Sequence, residues 1–288
     1  MKKFKFTGLI LVFLVILCTG CKQDDMEDID IIVTNYPNEF IISELYGEHA
    51  NIKSTYPDGV NISNYNVTKN QKEKYSNSGL FVYNGLIKKE RKLAVDLLDL
   101  NNNLKIIDTA YVLEEDYSEE ELWLNPSSLL MMAKNVQIGL NEYITSTYLQ
   151  KEINKAYNNL KVTLSELDAD YRVAVTETKN KTIVVNEENL KYLEKFGLTV
   201  ICIDDDATDK ELDLVDSLIR TGEVSYIYNF KGDELSNNSK KMLEEFDNVK
   251  EVELHKIDNL TDKEREDKKD YISLMNDNLT LLKQEMYQ

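Results

Sequence analysis

The chain has 288 residues, of which 42% are hydrophobic and 9% aromatic, so it can bury the core of one large domain or two medium ones. Its formal net charge is −18, and loss of the three lysines in residues 1–20 would bring the charge to −21. A surface this acidic attracts cations and repels phosphate backbones, so nucleic-acid binding is excluded as an expected role.

The first twenty residues are organised like a secretory signal peptide. Lys2, Lys3 and Lys5 precede an unbroken apolar run from Leu9 to Leu17. The run is too short to form a stable transmembrane helix across a bilayer about 30 Å thick. This favours a cleaved signal peptide over the alternative of an uncleaved signal anchor.

The segment Cys18-Thr19-Gly20-Cys21 resembles a bacterial lipobox, with cysteine at position 18 where leucine is commoner. The resemblance implies that Cys21 is acylated and holds the protein in the lipid bilayer, on the extracytoplasmic face of the cell membrane. Residues 22–30 are polar and acidic, as expected of a flexible tether. Only Cys202 then remains as a free thiol, so no intramolecular disulfide is expected, and its apolar surroundings predict a buried strand residue.

Short apolar strands alternate with helices in the first part of the mature chain. The sequence predicts strands at residues 30–35, 80–83 and 105–108 and helices at residues 39–46 and 88–98. This alternation is typical of a parallel α/β sheet.

The middle of the chain is helical in pattern from Pro126 to about Asp170, with almost no helix breakers. Within it, the stretch from Thr147 to Leu167 has apolar residues on one face and predicts a helix of some 30 Å. The strand–helix alternation then returns, with strands predicted at 182–185, 200–203, 224–228 and 251–254 and helices at 187–195, 209–220, 236–245 and 271–285.

Six stretches of this chain carry a family likeness: residues 31–37, 47–52, 80–86, 123–126, 180–185 with 195–198, and 270–279. In this order along the chain, they resemble the zinc- and manganese-binding lipoproteins of bacterial metal ABC transporters. The resemblance implies an α/β fold of two lobes, each with a mainly parallel sheet flanked by helices, joined by one long rigid linker helix. The predicted divisions are a signal peptide at 1–20, a lipidated tether at 21–30, an N-terminal lobe at 31–145, the linker helix at 146–172 and a C-terminal lobe at 173–288.

In that family, about three histidines and a carboxylate from both lobes hold one metal ion, a donor set that suits zinc and manganese. The resemblance places the three histidine positions at Ser63, Glu121 and Asn186, and the acidic position at about Phe230, with Asp233 nearby. The usual histidines are therefore missing. The oxygen-rich set that replaces them would favour manganese, magnesium or calcium over zinc.

Two further acidic groups are candidate ligands with structural alternatives. Glu187 and Glu188 follow a predicted strand, but they also suit the first turn of a helix, where negative charge is stabilised. Asp204-Asp205-Asp206 follows another predicted strand, where parallel sheets bind ligands, and the alternative is a solvated loop.

The chain has two histidines, His49 and His255, too few for a three-histidine site, and both are interpreted as structural. Three tyrosines near the inferred cleft could line a pocket for an organic ligand, or be ordinary core and surface residues: Tyr36, Tyr65 and Tyr83.

The sequence therefore predicts a monomeric solute-binding lipoprotein that delivers a divalent metal ion to an ABC permease in the membrane. The ion would be zinc or manganese by family, or a harder cation. The alternative is a diverged binding or adhesion lipoprotein that holds a different solute or no metal. An enzyme is not expected, because no Gly-x-Ser-x-Gly, P-loop or His-Glu-x-x-His motif occurs.

Overall fold

The structure is a computed structural model that describes residues 24–113 and 119–287, with the side chains of residues 119–121 left out. The predicted signal peptide and the lipidation site at Cys21 lie outside this part of the chain. Within it, every helix is too short or too polar to span a bilayer.

The N-terminal sheet consists of β1 (Ile29–Val33), β2 (Ala50–Ser54), β3 (Leu80–Tyr83) and β4 (Lys105–Asp108). These strands are all parallel and lie in the order β2-β1-β3-β4. Ile31 of β1 is in register with Ile52 and Leu80, so branched and apolar side chains fill the centre of the sheet. The associated helices are α1 (Tyr36–Tyr46), α2 (Lys69–Tyr75) and α3 (Lys88–Leu100).

Three helices lead from the first sheet to the second: α4 (Glu119–Leu124), α5 (Pro126–Tyr143) and α6 (Thr147–Glu177). Helix α6 has 31 residues and is therefore about 46 Å long. Residues 144–146 separate α5 from α6. There the Asp24 carboxylate accepts hydrogen bonds from the backbone N–H groups of Thr145 and Ser146, at 2.8 and 2.7 Å, which holds the chain between the two helices. Met26 is also buried in the core, so the expectation of a flexible tether was wrong for this part of residues 22–30.

The C-terminal sheet consists of β5 (Thr182–Val185), β6 (Thr199–Cys202), β7 (Tyr226–Phe230) and β8 (Lys250–Leu254), again all parallel, in the order β6-β5-β7-β8. Its helices are a 3₁₀ helix (Glu188–Phe196), α7 (Asp209–Thr221), α8 (Asn237–Glu245), α9 (Asp262–Glu266) and α10 (Tyr271–Met286). The two sheets thus share one topology, and the predicted fold class is confirmed.

A single hydrophobic cluster runs through both halves of the molecule. It extends from Ile31 and Val33 of β1, through Leu160 and Tyr171 of α6, to Ile183 of β5. A smaller cluster lies against each sheet separately. Because interiors are close-packed, this continuous core favours a stiff joint between the sheets.

Candidate functional site

Two cavities open between the sheets, on the side where the parallel strands end. The larger cavity has a volume of about 630 Å³ and the smaller about 360 Å³. Asn35 follows β1 and lines the larger cavity, whereas Lys231 and Asp233 follow β7 and line the smaller one. Ser63 and Asp258 line both cavities. The carboxyl ends of parallel strands are the usual ligand-binding edge of such sheets, so we take the two cavities together as the candidate cleft.

Asp258 is the carboxyl group at the centre of the cleft. It lies in the loop after β8, and its backbone carbonyl accepts a 2.9 Å hydrogen bond from the N–H of Tyr36, across the cleft. Burial raises the pKa of the Asp258 carboxyl, with Asp233 adding to the effect and Lys256 opposing it. Sequence reasoning missed this residue. Its position shortly after the predicted strand 251–254 could have identified it, because the same kind of position made residues 204–206 candidates.

Ser63 lies in a loop that a lysine ammonium holds in place. Lys89 Nζ donates to the backbone carbonyls of Ile62 and Ser63, at 2.8 and 3.2 Å, and also to that of Tyr65. Burial lowers the pKa of Lys89. The loop that carries Ser63 is therefore held in place by the ammonium group of Lys89.

Asp233 and Asn186, the two predicted ligands of the second half, have different surroundings. Asp233 lines the smaller cavity and its carboxylate pairs with Lys256 Nζ at 3.1 Å. Asn186 is buried, and its side-chain amide bonds Asn229 Oδ1, at 3.0 Å, and the backbone N–H of Ser236, at 2.8 Å. Asp233 and Ser63 thus line the same cavity, while Asn186 joins loops of its own sheet.

The remaining predicted ligand, Glu121, lies in α4, two residues before Trp123. Its side chain falls outside the described residues, so its role stays a prediction. Trp123 itself lines the larger cavity, and its indole N–H donates to the Lys256 carbonyl at 2.8 Å.

The other acidic candidates make contacts that stabilise local structure. Glu188 pairs with Lys191 at 2.6 Å in the first turn of the 3₁₀ helix. Asp205 Oδ1 accepts the backbone N–H of Asn237 at 2.7 Å, at the start of α8. Cys202 is buried in β6, where burial raises the pKa of its thiol to about 12.

His255 lines the smaller cavity, near the two aspartates of the cleft. Its Nδ1 accepts the N–H of Ile257 at 2.8 Å, and its Nε2 lies 3.0 Å from Glu264 Oε1. Burial lowers the pKa of His255, although Glu264 opposes this shift. His49, by contrast, is absent from both cavities and contacts the ring of Tyr46, with centroids 5.3 Å apart.

The predicted tyrosines are only partly associated with the cleft. Tyr36 is buried beside it, Tyr83 stacks on Phe81 in the first sheet, and neither lines a cavity described above. Tyr65 meets Tyr56 edge-on, at 5.6 Å between centroids, and it is Tyr56 that lines the larger cavity.

The segment after β8 joins the two sheets along one side of the cleft. The N–H of Gly59 donates to the Leu260 carbonyl at 2.8 Å, and Asn259 Nδ2 donates to the Pro57 carbonyl at 2.9 Å. Arg265 of α9 forms ion pairs with two carboxylates of the N-terminal half. Among the described residues, no group of three or more His, Cys, Asp and Glu side chains is arranged to hold a metal ion.

A family model and relatives among known proteins both match this chain to zinc-binding and zinc-uptake proteins. A family model described as ZnuA, zinc-uptake complex component A, periplasmic, matches residues 31–285. The zinc-binding lipoprotein AdcA of Streptococcus pneumoniae is 25% identical over 311 residues, which cover 99% of this chain and 61% of that protein. The zinc-binding protein AdcA of Streptococcus pyogenes is 26% identical over 171 residues, or 57% of this chain and 32% of that protein. The chain thus spans about 61% of the length of the first of these relatives.

Solved structures share the fold at lower identity. The Zn(II)-bound ZnuA-like domain of Streptococcus pneumoniae AdcA has a TM-score of 0.72 at 22% identity, covering 91% of this chain and all of that domain. The metal-dependent lipoprotein YcdH of Bacillus subtilis has a TM-score of 0.73 at 18% identity, with 91% and 100% covered. The laminin-binding protein Lbp of Streptococcus pyogenes has a TM-score of 0.71 at 16% identity, with 90% and 99% covered.

Proposed function

The chain belongs to the family of zinc-uptake complex component A, and from this membership we propose that it is an extracytoplasmic, lipid-anchored solute-binding protein that captures a divalent cation between its two sheets. The family is one of transport components, so the chain is a binding protein and not an enzyme. Its partners would be an ABC permease and the lipid bilayer, reached through acylated Cys21, and it would act as a monomer.

The observation that carries this proposal is that Asp258, Asp233 and His255 all line the smaller cavity, although as they stand they do not form a metal-binding cluster. These side chains come from the loops after β7 and β8, and Ser63 adds a hydroxyl from the opposite half. Carboxylate and imidazole suit zinc and manganese, and carboxylate and hydroxyl oxygens suit harder cations. The zinc-binding names of the relatives favour zinc as the first ion to test.

Two of these groups would have to change partners for an ion to enter. Asp233 would leave Lys256, and His255 would give up either the N–H of Ile257 or Glu264. Because burial raises the pKa of the Asp258 carboxyl, the affinity for a cation should increase with pH as this group ionises.

Equilibrium dialysis against zinc, manganese and calcium tests the proposal. We expect at least one ion to bind with a Kd below about 10 μM, and Asp258→Asn to weaken that binding at least about tenfold. Asp216→Asn is the matched control, because Asp216 is an aspartate paired with Arg220 on α7, remote from both cavities. Absence of binding by all three ions, or equal losses in the two variants, would contradict the proposal.

The diverged binding lipoprotein remains a second candidate because of the lysines in the cleft. Lys72, Lys88, Lys89 and Lys92 line the larger cavity. Cations of the protein disfavour a metal ion there and favour a different solute. Dialysis that finds no bound ion would support this second function.

A further inference from the structure

The larger cavity combines an apolar wall with a basic one. Tyr56, Val67, Leu93 and Trp123 contribute aromatic and aliphatic surface. Its volume of about 630 Å³ falls in the range of small-molecule sites, which are mostly apolar with a few polar groups that fix orientation. The four lysines supply those polar groups.

The basic wall is an exception in a strongly acidic chain. Residues 69–92 carry seven basic and two acidic side chains, a local net charge of +5, whereas the whole chain carries −18. This stretch includes α2 and the first turn of α3, which pack against each other beside the cavity. A concave surface lined by one sign of charge concentrates small ions of the opposite sign.

Two of the four lysines are already engaged within the protein. Lys72 pairs with Asp96 at 2.6 Å, and Lys89 is held by the backbone carbonyls that surround it. Lys88 and Lys92 are exposed and form no ion pair among the described residues. They are four positions apart in α3, so they lie on the same face of the helix. Both ammonium groups therefore remain for a ligand.

The acidic groups of the cavity do not cancel this pair. Glu90 is fully buried and accepts hydrogen bonds from Asn35 Nδ2, at 3.0 Å, and from the backbone N–H of Asn84, at 2.7 Å. Asp96 is paired with Lys72, and Asp258 belongs to the wall shared with the smaller cavity. In addition, no side chain caps the start of α3, where the positive end of the helix dipole adds to Lys88 and Lys92.

We propose that the larger cavity binds a small organic anion. Its carboxylate or phosphate group contacts Lys88 and Lys92, and its apolar body packs against Tyr56 and Trp123. The inference goes beyond the cation-binding proposal and does not depend on it, since the smaller cavity and the lysine wall are different surfaces.

Three ligands of nearly equal size separate charge from shape: benzoate, benzyl alcohol and benzylamine. Binding to the full chain is followed by saturation-transfer NMR and by the fluorescence of Trp123, the single tryptophan. We expect benzoate to bind, benzyl alcohol to bind more weakly and benzylamine not to bind. Inorganic phosphate should compete with benzoate by occupying the two lysines. Binding of benzylamine as tight as that of benzoate would overturn the proposal.

A charge-reversal pair tests the residues. The double variant Lys88→Glu/Lys92→Glu should weaken benzoate binding at least about tenfold. Lys240→Glu/Lys241→Glu, on exposed positions of α8, makes the same charge change away from the cavity and should alter binding less than about twofold. The conservative Lys88→Arg/Lys92→Arg should retain binding. Equal effects of the two glutamate pairs would refute the site, and zinc dialysis on the same proteins reports separately on the cation proposal.

Discussion

Replacing Arg265 by alanine should loosen the joint between the two halves of the molecule. The guanidinium of Arg265 forms a bidentate pair with Glu39, with Nη1–Oε1 at 2.6 Å and Nη2–Oε2 at 2.9 Å. Its Nε also donates to Asp58 Oδ2 at 2.5 Å. Both carboxylates belong to the N-terminal half, so one side chain of α9 links that half to the C-terminal one.

The size of the effect follows from the burial of these groups. The side chains of Glu39 and Asp58 are 16% and 22% exposed, and that of Arg265 is 34% exposed. Exposed ion pairs contribute about 0–1 kcal/mol, whereas breaking a buried pair costs about 3–5 kcal/mol. This partly buried pair lies between the two cases, so Arg265→Ala should reduce the free energy of unfolding by about 2 kcal/mol.

Arg220→Ala is the matched control. Arg220 also makes a bidentate pair with one carboxylate, Asp216, and a further contact with a second, Glu245. Its side chain is 58% exposed and all three residues belong to the C-terminal half, so its loss should cost at most about 1 kcal/mol.

Urea denaturation of the two variants provides the measurement. At an m-value of about 3 kcal/mol/M, Arg265→Ala should lower the urea midpoint by about 0.7 M. The emission of Trp123, whose indole bonds the Lys256 carbonyl near α9, should also change in Arg265→Ala and not in Arg220→Ala. Equal losses of stability with no change in emission would refute the reasoning that Arg265 links the halves.

Three further results are expected. Burial opposes ionisation of Glu264, but its hydrogen bonds to Thr261 and the nearby His255 and Lys231 lower its pKa to about 2. The ionised carboxylate therefore stabilises the fold above about pH 4.5, and this contribution is lost as the pH falls towards about 2. Urea denaturation should show Glu264→Gln to be less stable than the parent protein above about pH 4.5 and nearly equal to it near about pH 2. Gly139→Ala should lower the free energy of unfolding by about 1–3 kcal/mol despite its better helix propensity, because the added Cβ would lie 2.6 Å from Ile107 Cγ1; an increase in stability would contradict this. Cys21→Ala should release the protein from the membrane fraction of cells, and its retention there would indicate a signal anchor instead.

Most strands of the two parallel sheets were predictable because they are short, apolar and separated by helices of regular period, whereas β2, whose sequence is mostly polar, was missed. The predicted strand at 80–83 coincides with β3, and that at 182–185 coincides with β5. Hydrophobic periodicity shows which face of each element is buried, and this local information is enough to predict these strands and helices. The short polar helices α2 and α9 were missed because neither presents an apolar stripe, and their capping boxes stabilise them locally.

The cleft was less predictable because its contacts join residues that are far apart in sequence. Arg265 and Glu39 are separated by 226 positions, and no local pattern relates them. Family resemblance selected Ser63 and Asp233, which both line the smaller cavity, but it gave no account of Asp258 or of the contacts of His255. The engagement of Asn186 with Asn229 and Ser236 is also a tertiary contact, which the sequence of β5 does not encode.

The most direct test of the account is a crystal structure of the zinc-soaked protein with anomalous scattering at the zinc edge. We predict a peak between the two sheets, with a carboxylate oxygen of Asp258 about 2.0–2.2 Å from the ion. A zinc peak bound only on the outer surface, or a cleft with no peak at a zinc concentration that saturates the relatives, would contradict the capture of a cation between the two halves.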